Sequence, residues 1–297
     1  MNSLRSGVSS IQYRLLTARG PRPVSRGSRW LSLDSRVQPN PEVPLNKTAK
    51  APAVIARGLI KRLGRTAALR GVDLDVVEGE VHALAGHNGA GKTTLFRLIL
   101  GLLRRDGGDL KVLGVDPQDP TWPSVLRYIG YVPEDAQPYE RLTGYEYLRF
   151  FAKVYTSDPE EADKMMSWAV QIAGLSDADL RRKAGEYSNG MKKRLMIARA
   201  LMHRPRLVLL DEPTNGLDVF AAHEVRELIK GLSRIGTTFL IATHNMAEAQ
   251  YLADRVTFLA YGKVIATGTV KELLEVYGAS DLEEAFVRAV RSSGGQP

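Results

Sequence analysis

The chain has 297 residues, 44% of them hydrophobic and 25% charged, with a formal net charge of +8 and no cysteine. That length can bury a sizeable core, in one large domain or two small ones. The lack of cysteine excludes disulfides, iron–sulfur clusters and thiol catalysis. No uninterrupted apolar run near the ~18 residues needed to span a bilayer occurs, so a membrane channel would have to come from another chain.

Read in chain order, residues 1–50 hold seven Arg and two Lys against Asp34 and Glu42 alone, so seven of the eight net positive charges lie there. The rest of the chain is nearly neutral, and no nucleic-acid surface follows from its charge. This segment is Ser-rich and ends in Pro39, Pro41 and Pro44. It reads as a disordered tail or a start placed too far upstream, and an organelle transit peptide has the same composition.

From about residue 53 the pattern becomes regular. A strand at Glu80–Ala85 is expected to lead into a glycine loop, and a helix over Lys92–Leu102 to leave it. Leu110–Gly114 and Tyr128–Val132 read as short strands, and Tyr145–Tyr155 and Glu160–Gly174 as helices with mixed apolar faces. A helix is expected over Lys192–His203. Leu207–Leu210, apolar throughout and bounded by Arg206 and Asp211, has the form of a buried parallel strand. Thr238–Thr243, Val256–Ala260 and Val264–Ala266 are further strand candidates. Strands alternating with helices imply an α/β sheet with crossover connections.

Gly86-His87-Asn88-Gly89-Ala90-Gly91-Lys92-Thr93 fits the P-loop pattern in the strand–loop–helix context it requires. Its glycines let successive N–H groups turn toward phosphate oxygens, and the helix behind adds partial positive charge. Lys92 is expected to reach the β- and γ-phosphates, with the Thr93 hydroxyl on Mg²⁺. Thr94 follows on the same turn. Downstream, Leu207-Val-Leu-Leu-Asp211-Glu212-Pro213 sets two acids at the carboxyl end of a buried strand, where open α/β sheets bind ligands. Asp211 is expected to hold Mg²⁺ through water and Glu212 to polarise the attacking water. Ser188 and Gly190, in Tyr187-Ser-Asn-Gly-Met191, open a helix and form a second anion site, one more than a single phosphate group needs. His244 closes another apolar strand, whereas His82, His87, His203 and His223 read as structural or solvated.

In the order phosphate loop, signature, acidic strand, Asn215-Gly-Leu-Asp218 turn and His244, residues from about 53 to 291 resemble the nucleotide-binding subunits of ABC transporters. The resemblance implies a P-loop NTPase core of the α/β class with a mixed sheet, an antiparallel β subdomain and an α-helical subdomain. The divisions expected are a basic extension at 1–50, the ATPase domain at 53–278 with its helical subdomain at about 136–185, and a C-terminal helix and tail at 279–297. It also implies that two such domains pair head to tail around two ATP molecules. Each ATP would touch the loop of one subunit and the signature of the other, so Ser188 and Gly190 would serve the partner's nucleotide. Glu212 would be the catalytic carboxylate, His244 would hold γ-phosphate and water, and Asp218 would fix the facing subunit. Both half-sites carry their residues, which favours a homodimer driving a separate membrane permease from the cytoplasmic face. Tyr187–Leu195, Thr243–Ala249 and Asp281–Phe286 resemble export ATPases of the multidrug and antibiotic-resistance kind. A single-cassette ATPase acting as a switch or scaffold on a protein assembly is the alternative.

Three positions depart from the family pattern. Leu63 stands where an aromatic ring usually stacks on adenine, which predicts a relaxed preference for ATP over GTP. Glu134 replaces the Gln that senses γ-phosphate and Mg²⁺; a carboxylate there adds negative charge but can still ligate the metal. Asn189 and Met191 replace the more usual Gly and Gln of the signature, while Ser188 and Gly190 are retained.

Overall fold

The computed structural model describes residues 51–294. The readings of residues 1–50, and of the last three residues of the C-terminal tail, lie outside the described residues.

Strands β1 (Pro52–Leu63) and β2 (Thr66–Val77) form a hairpin whose two-residue turn is opened by Gly64 in the left-handed region, φ 59°. Next, β3 (Val81–Ala85) runs to the glycine loop and α1 (Lys92–Ile99) leaves it, after which β4 (Gly107–Val112) returns to pair with β1. The short α2 (Trp122–Leu126) and β5 (Ile129–Val132) precede an all-helical insertion of α3 (Gly144–Tyr155), α4 (Pro159–Ala173), α5 (Asp177–Leu180) and a 3₁₀ turn at Ala184–Glu186. The chain then alternates through α6 (Asn189–Leu201), β6 (Leu207–Asp211), α7 (Val219–Arg234), β7 (Thr238–Thr243) and α8 (Met246–Leu252). It closes with β8 (Arg255–Ala260), β9 (Lys263–Gly268), α9 (Val270–Tyr277) and α10 (Leu282–Ser292).

Two sheets result. The antiparallel sheet has the order β2-β1-β4, and the mixed sheet the order β5-β6-β7-β3-β8-β9, parallel except for β9. β3, β6 and β7 are buried along their whole length, because both faces of a parallel sheet are covered; hence their largely apolar sequence. One core lies between the sheets, where Leu69, Val72, Leu74 and Val76 of β2 meet Leu84, Phe96 and Leu209. Another joins the helical insertion to the larger sheet: Tyr147, Leu148, Trp168 and Ile172 pack with Leu195, Ile197 and Leu201 of α6 and with Leu210 of β6. The insertion is therefore carried on the helix that begins at the signature.

Several boundaries differ from the sequence pattern, each for a local reason. The strand expected at Leu110–Gly114 ends at Val112, because Leu113 (φ 49°) and Gly114 (φ 87°) reverse the chain. The helix after the loop stops at Ile99, with Gly101 just beyond it at φ 69°. α6 begins at Asn189 rather than Lys192, since the Ser188 hydroxyl caps it by accepting from the Met191 N–H. The twelve-residue strands β1 and β2, with their interrupted alternation, were not resolved by periodicity.

Candidate active site

The phosphate loop is the hinge of the site. Gly91 takes φ 112°, and a Cβ there would stand 2.7 Å from the Ala68 carbonyl oxygen, so only glycine fits against β2. It precedes α1 without offering a side chain to cap it, and no acid occupies the first turn. α3, α4, α6, α7, α9 and α10 are all capped by Thr, Asp or Ser side chains. The amino end of α1 thus keeps its N–H groups for an anion. Lys92, 6% exposed, folds over the loop and donates to the carbonyls of Gly86 (2.7 Å) and His87 (3.3 Å).

A cleft of about 520 Å³ opens above this loop. Asn88, Gly89, Ala90, Gly91, Lys92, Thr93 and Thr94 line it on one side, and Glu134, Asp211 and Glu212 on another. The Thr93 hydroxyl donates to Asp211 Oδ2 at 3.0 Å. Burial pushes the Asp211 carboxyl up, and the charges of Glu212 and Glu134 push it the same way against the Thr93 bond. Oxygens gathered so closely favour a cation. Among the described residues, no cluster of three His, Cys, Asp or Glu could hold a metal unaided. Thr93, Asp211 and Glu134 together fit Mg²⁺, which takes one or two protein oxygens and completes its shell with phosphate and water.

Glu212 sits at the carboxyl end of β6 in the left-handed region, φ 48°, a strained conformation for a residue with a Cβ. Its carboxylate is nearly buried and bridges two groups: Oε1 is 3.5 Å from Lys92 Nζ and Oε2 is 2.9 Å from His244 Nδ1. The His244 backbone N–H donates to the same Oε2 at 3.3 Å. Parallel pairing of β6 with β7 places Glu212 and His244 at adjacent strand ends.

Gly86 and His87 support the loop from beneath, the Gly86 N–H donating to the Thr243 carbonyl at 3.1 Å. Ser188, Gly190 and Asp218 lie outside the cleft. Ser188 caps α6 and Asp218 caps α7, accepting from the Phe220 and Ala221 N–H groups. Gly190 has a packing reason too: a Cβ there would stand 2.6 Å from that of Ala221. The Ser188–Gly190 turn and the phosphate loop therefore lie apart within one chain.

Three residues that bear on the site had no role in the sequence reading. Glu248 lies within the segment Thr243–Ala249; it is buried and accepts from the hydroxyls of Thr214 (2.6 Å) and Thr243 (2.7 Å). It thereby ties the loop after Glu212 to the strand before His244. Lys193 is a cation on the buried face of α6, in helical phase with Ile197 and Ala200, a misfit that the sequence displays. Tyr261, in the β8–β9 turn, lines the same cleft as Leu63, so an aromatic ring is present although not where the family pattern puts it. His82 is structural as expected, bonded to Glu80 and Thr257. Burial pushes His203 down to about 4, leaving a neutral ring on the Ile129 carbonyl.

This loop, acidic strand end and histidine, held in a mixed sheet with a helical insertion, define a P-loop nucleotide hydrolase of the cassette type. Residues 69–215 match the ABC transporter family model. The chain is 41% identical over 220 residues to a fluoroquinolones export ATP-binding protein of Mycobacterium tuberculosis, covering 73% of this chain and 71% of the relative. It is 37% identical over 231 residues to a daunorubicin resistance ATP-binding protein of Streptomyces coeruleorubidus, covering 78% and 72%. Among solved structures it resembles a dimeric, post-hydrolysis ATP-binding cassette bound to ADP and Pi, with TM-score 0.65 and 26% identity over 73% of this chain and 98% of that one. The chain belongs to the ATP-binding proteins of ABC transporters. It is an ATPase subunit, and its cassette binds ATP.

Proposed function

We propose that two copies of this chain close head to tail around two ATP·Mg²⁺ and drive a separate membrane permease that exports a drug-like or lipid-like substrate. The observation that carries the chemistry is the Glu212 carboxylate held between Lys92 Nζ and His244 Nδ1 above the phosphate loop. Lys92 exchanges its loop carbonyls for β- and γ-phosphate oxygens, and the uncapped end of α1 receives the same phosphates. Thr93, Glu134 and Asp211 would hold Mg²⁺, which when bound would neutralise phosphate charge. A water polarised by Glu212 forms the new bond to the γ-phosphorus while the bond to the bridging oxygen breaks. ADP leaves with that electron pair, and Glu212 takes the water's proton. His244 orients Glu212 through their contact and stays near the γ-phosphate.

The second anion site explains why one chain is incomplete: Ser188 accepts one bond from its own helix and keeps its proton to donate across an interface. A relative is a fluoroquinolones export ATP-binding protein, which supports export as the direction. Among the described residues no helix is long and apolar enough to cross a membrane. By likeness to these relatives, the subunit would sit on the cytoplasmic face through its permease. Glu212→Gln tests the chemistry. Hydrolysis should fall by about 10²–10⁴-fold with ATP binding retained, and an ATP-bound dimer should accumulate on size exclusion. Wild-type turnover in that variant overturns the assignment of Glu212. Recovery of the chain from detergent-solubilised membranes without any membrane partner overturns the transporter reading.

A further inference from the structure

Lys193 lies on the second turn of α6 and is only 8% exposed, although lysine is rarely buried. Burial lowers its proton affinity, while Glu134, Asp211, Glu248 and Glu212 act to raise it. The buried ammonium thus feels the negative charge of these acids. Its ammonium reaches toward the Glu134 backbone carbonyl at 3.5 Å. The neighbouring Lys192 turns to the far end of the same loop and donates to the Glu140 carboxylate at 3.0 Å. The segment from Glu134 to Glu140 is therefore clasped at both ends by one helix, and the Gly185 N–H adds a bond to the Glu140 carbonyl.

The Glu134 side chain is held from the opposite direction. Asn215 Nδ2 donates to Glu134 Oε1 at 3.0 Å, in the loop that follows Asp211 and Glu212. Asn189 of the signature approaches that same loop, with its amide 3.5 Å from the Gly216 carbonyl. Two of the three departures from the family pattern, Glu134 and Asn189, thus converge on one turn. A carboxylate at 134 adds a negative charge where phosphates must enter, and Lys193 supplies the opposite charge from the protein side. Lys92 cannot serve both purposes, because its ammonium is aimed at the loop and at Glu212.

We propose that Lys193 is a positioning residue for the phosphate end of the site: its fixed charge holds the Glu134 loop against α6 and offsets Glu134, Asp211 and Glu212, so that phosphates enter the cleft. The inference rests on reading this cleft as the ATP·Mg²⁺ site. Removing the charge leaves an acidic cluster that repels metal-free nucleotide, while Mg²⁺ compensates when it is present. Binding of a fluorescent ATP analogue to the full-length protein, in EDTA and in saturating Mg²⁺, separates the two effects.

Lys193→Met should weaken binding in EDTA by at least about threefold, and by clearly less in Mg²⁺. Lys193→Arg should restore both values. Adding Glu134→Gln to Lys193→Met, or to Lys193→Gln should the methionine variant not fold, should recover part of the EDTA loss. An equal loss with and without Mg²⁺, unchanged binding in EDTA, or no recovery in the double variant overturns the role of Lys193. Wild-type protein that binds no analogue in either buffer overturns the reading of the cleft itself, which is a separate outcome.

Discussion

Glu248→Ala should destabilise the protein and slow hydrolysis together, although Glu248 touches neither nucleotide nor metal in the proposed mechanism. The residue is 1% exposed, and its two carboxylate oxygens accept from the Thr214 and Thr243 hydroxyls. Alanine deletes both acceptors and leaves two hydroxyls facing a small cavity. At about 1–1.5 kcal/mol per bond, with the cavity added, the loss is about 3 kcal/mol. For a folded unit of this size that lowers Tm by roughly 6–12 °C. Thr214 follows Glu212 and Thr243 precedes His244, so freeing them loosens the pair that carries the chemistry. Turnover below the melting transition should drop at least about tenfold.

Glu248→Gln provides the control. Burial holds the Glu248 carboxyl above the usual range, against the two hydroxyl bonds that lower it. A raised carboxyl pKa means that its stabilising contribution is fully present below the unfolded-state value and is lost as pH rises through the folded-state value. The glutamine variant, which carries no charge, should therefore gain on wild type as pH increases above about 4. Thermal melts across that range, with ATPase assays at one pH, provide both readouts. An alanine variant melting within about 2 °C of wild type refutes the reasoning, as does a Gln-minus-wild-type difference that shrinks as pH rises.

Replacing Leu63 by Tyr should tighten ATP by roughly 1–3 kcal/mol of base stacking, read in competition between ATP and GTP. A strong wild-type preference for ATP that Leu63→Tyr leaves unchanged would contradict the relaxed selectivity expected here; Tyr261→Ala then shows whether that ring already serves the base. Glu134→Gln should retain hydrolysis, because either side chain can approach Mg²⁺; a large gain in ATPase rate would identify the carboxylate as inhibitory. His82→Leu strips partners from buried Glu80 and Thr257, whose hydroxyl also meets Thr267, and should cost about 2–4 kcal/mol. Burial raises the Glu80 carboxyl, but the His82 and Val77 bonds outweigh it and hold the group low. The stability it contributes is present above the unfolded carboxyl value and lost as pH falls. His82→Leu should flatten that acid-side loss in melts between about pH 5 and 2.

Much of the site is legible along the chain because phosphate capture is local. Gly86–Thr93 works through backbone N–H groups and one helix end, so a continuous run of residues specifies it; Leu207–Glu212 announces itself because a strand covered on both faces must be apolar. Residues whose roles depend on distant partners leave weaker marks. Glu248 reads as an ordinary acid on a short helix until the fold carries Thr214 to it, and Tyr261 enters the cleft only because the β8–β9 turn crosses beside β2. β1 and β2 are long, yet register shifts along their pairing break the alternation that would have revealed them.

The sequence by itself determined that this chain cradles a nucleoside triphosphate, that Asp211 and Glu212 stand at the end of a buried strand, and that Ser188 and Gly190 open a helix. Tertiary structure decided how those pieces meet. Parallel pairing of β6 with β7 brings Glu212 to His244, and α1 folds Lys92 onto the same carboxylate. Ser188 and Gly190 lie outside the cleft, at the start of the helix that also packs on the helical insertion. A linear motif specifies backbone conformation over a few residues, whereas contact between residues over a hundred positions apart depends on which strands pair. That is why the loop was readable from the outset, whereas the contacts of Glu212 with Lys92 and His244 required the fold.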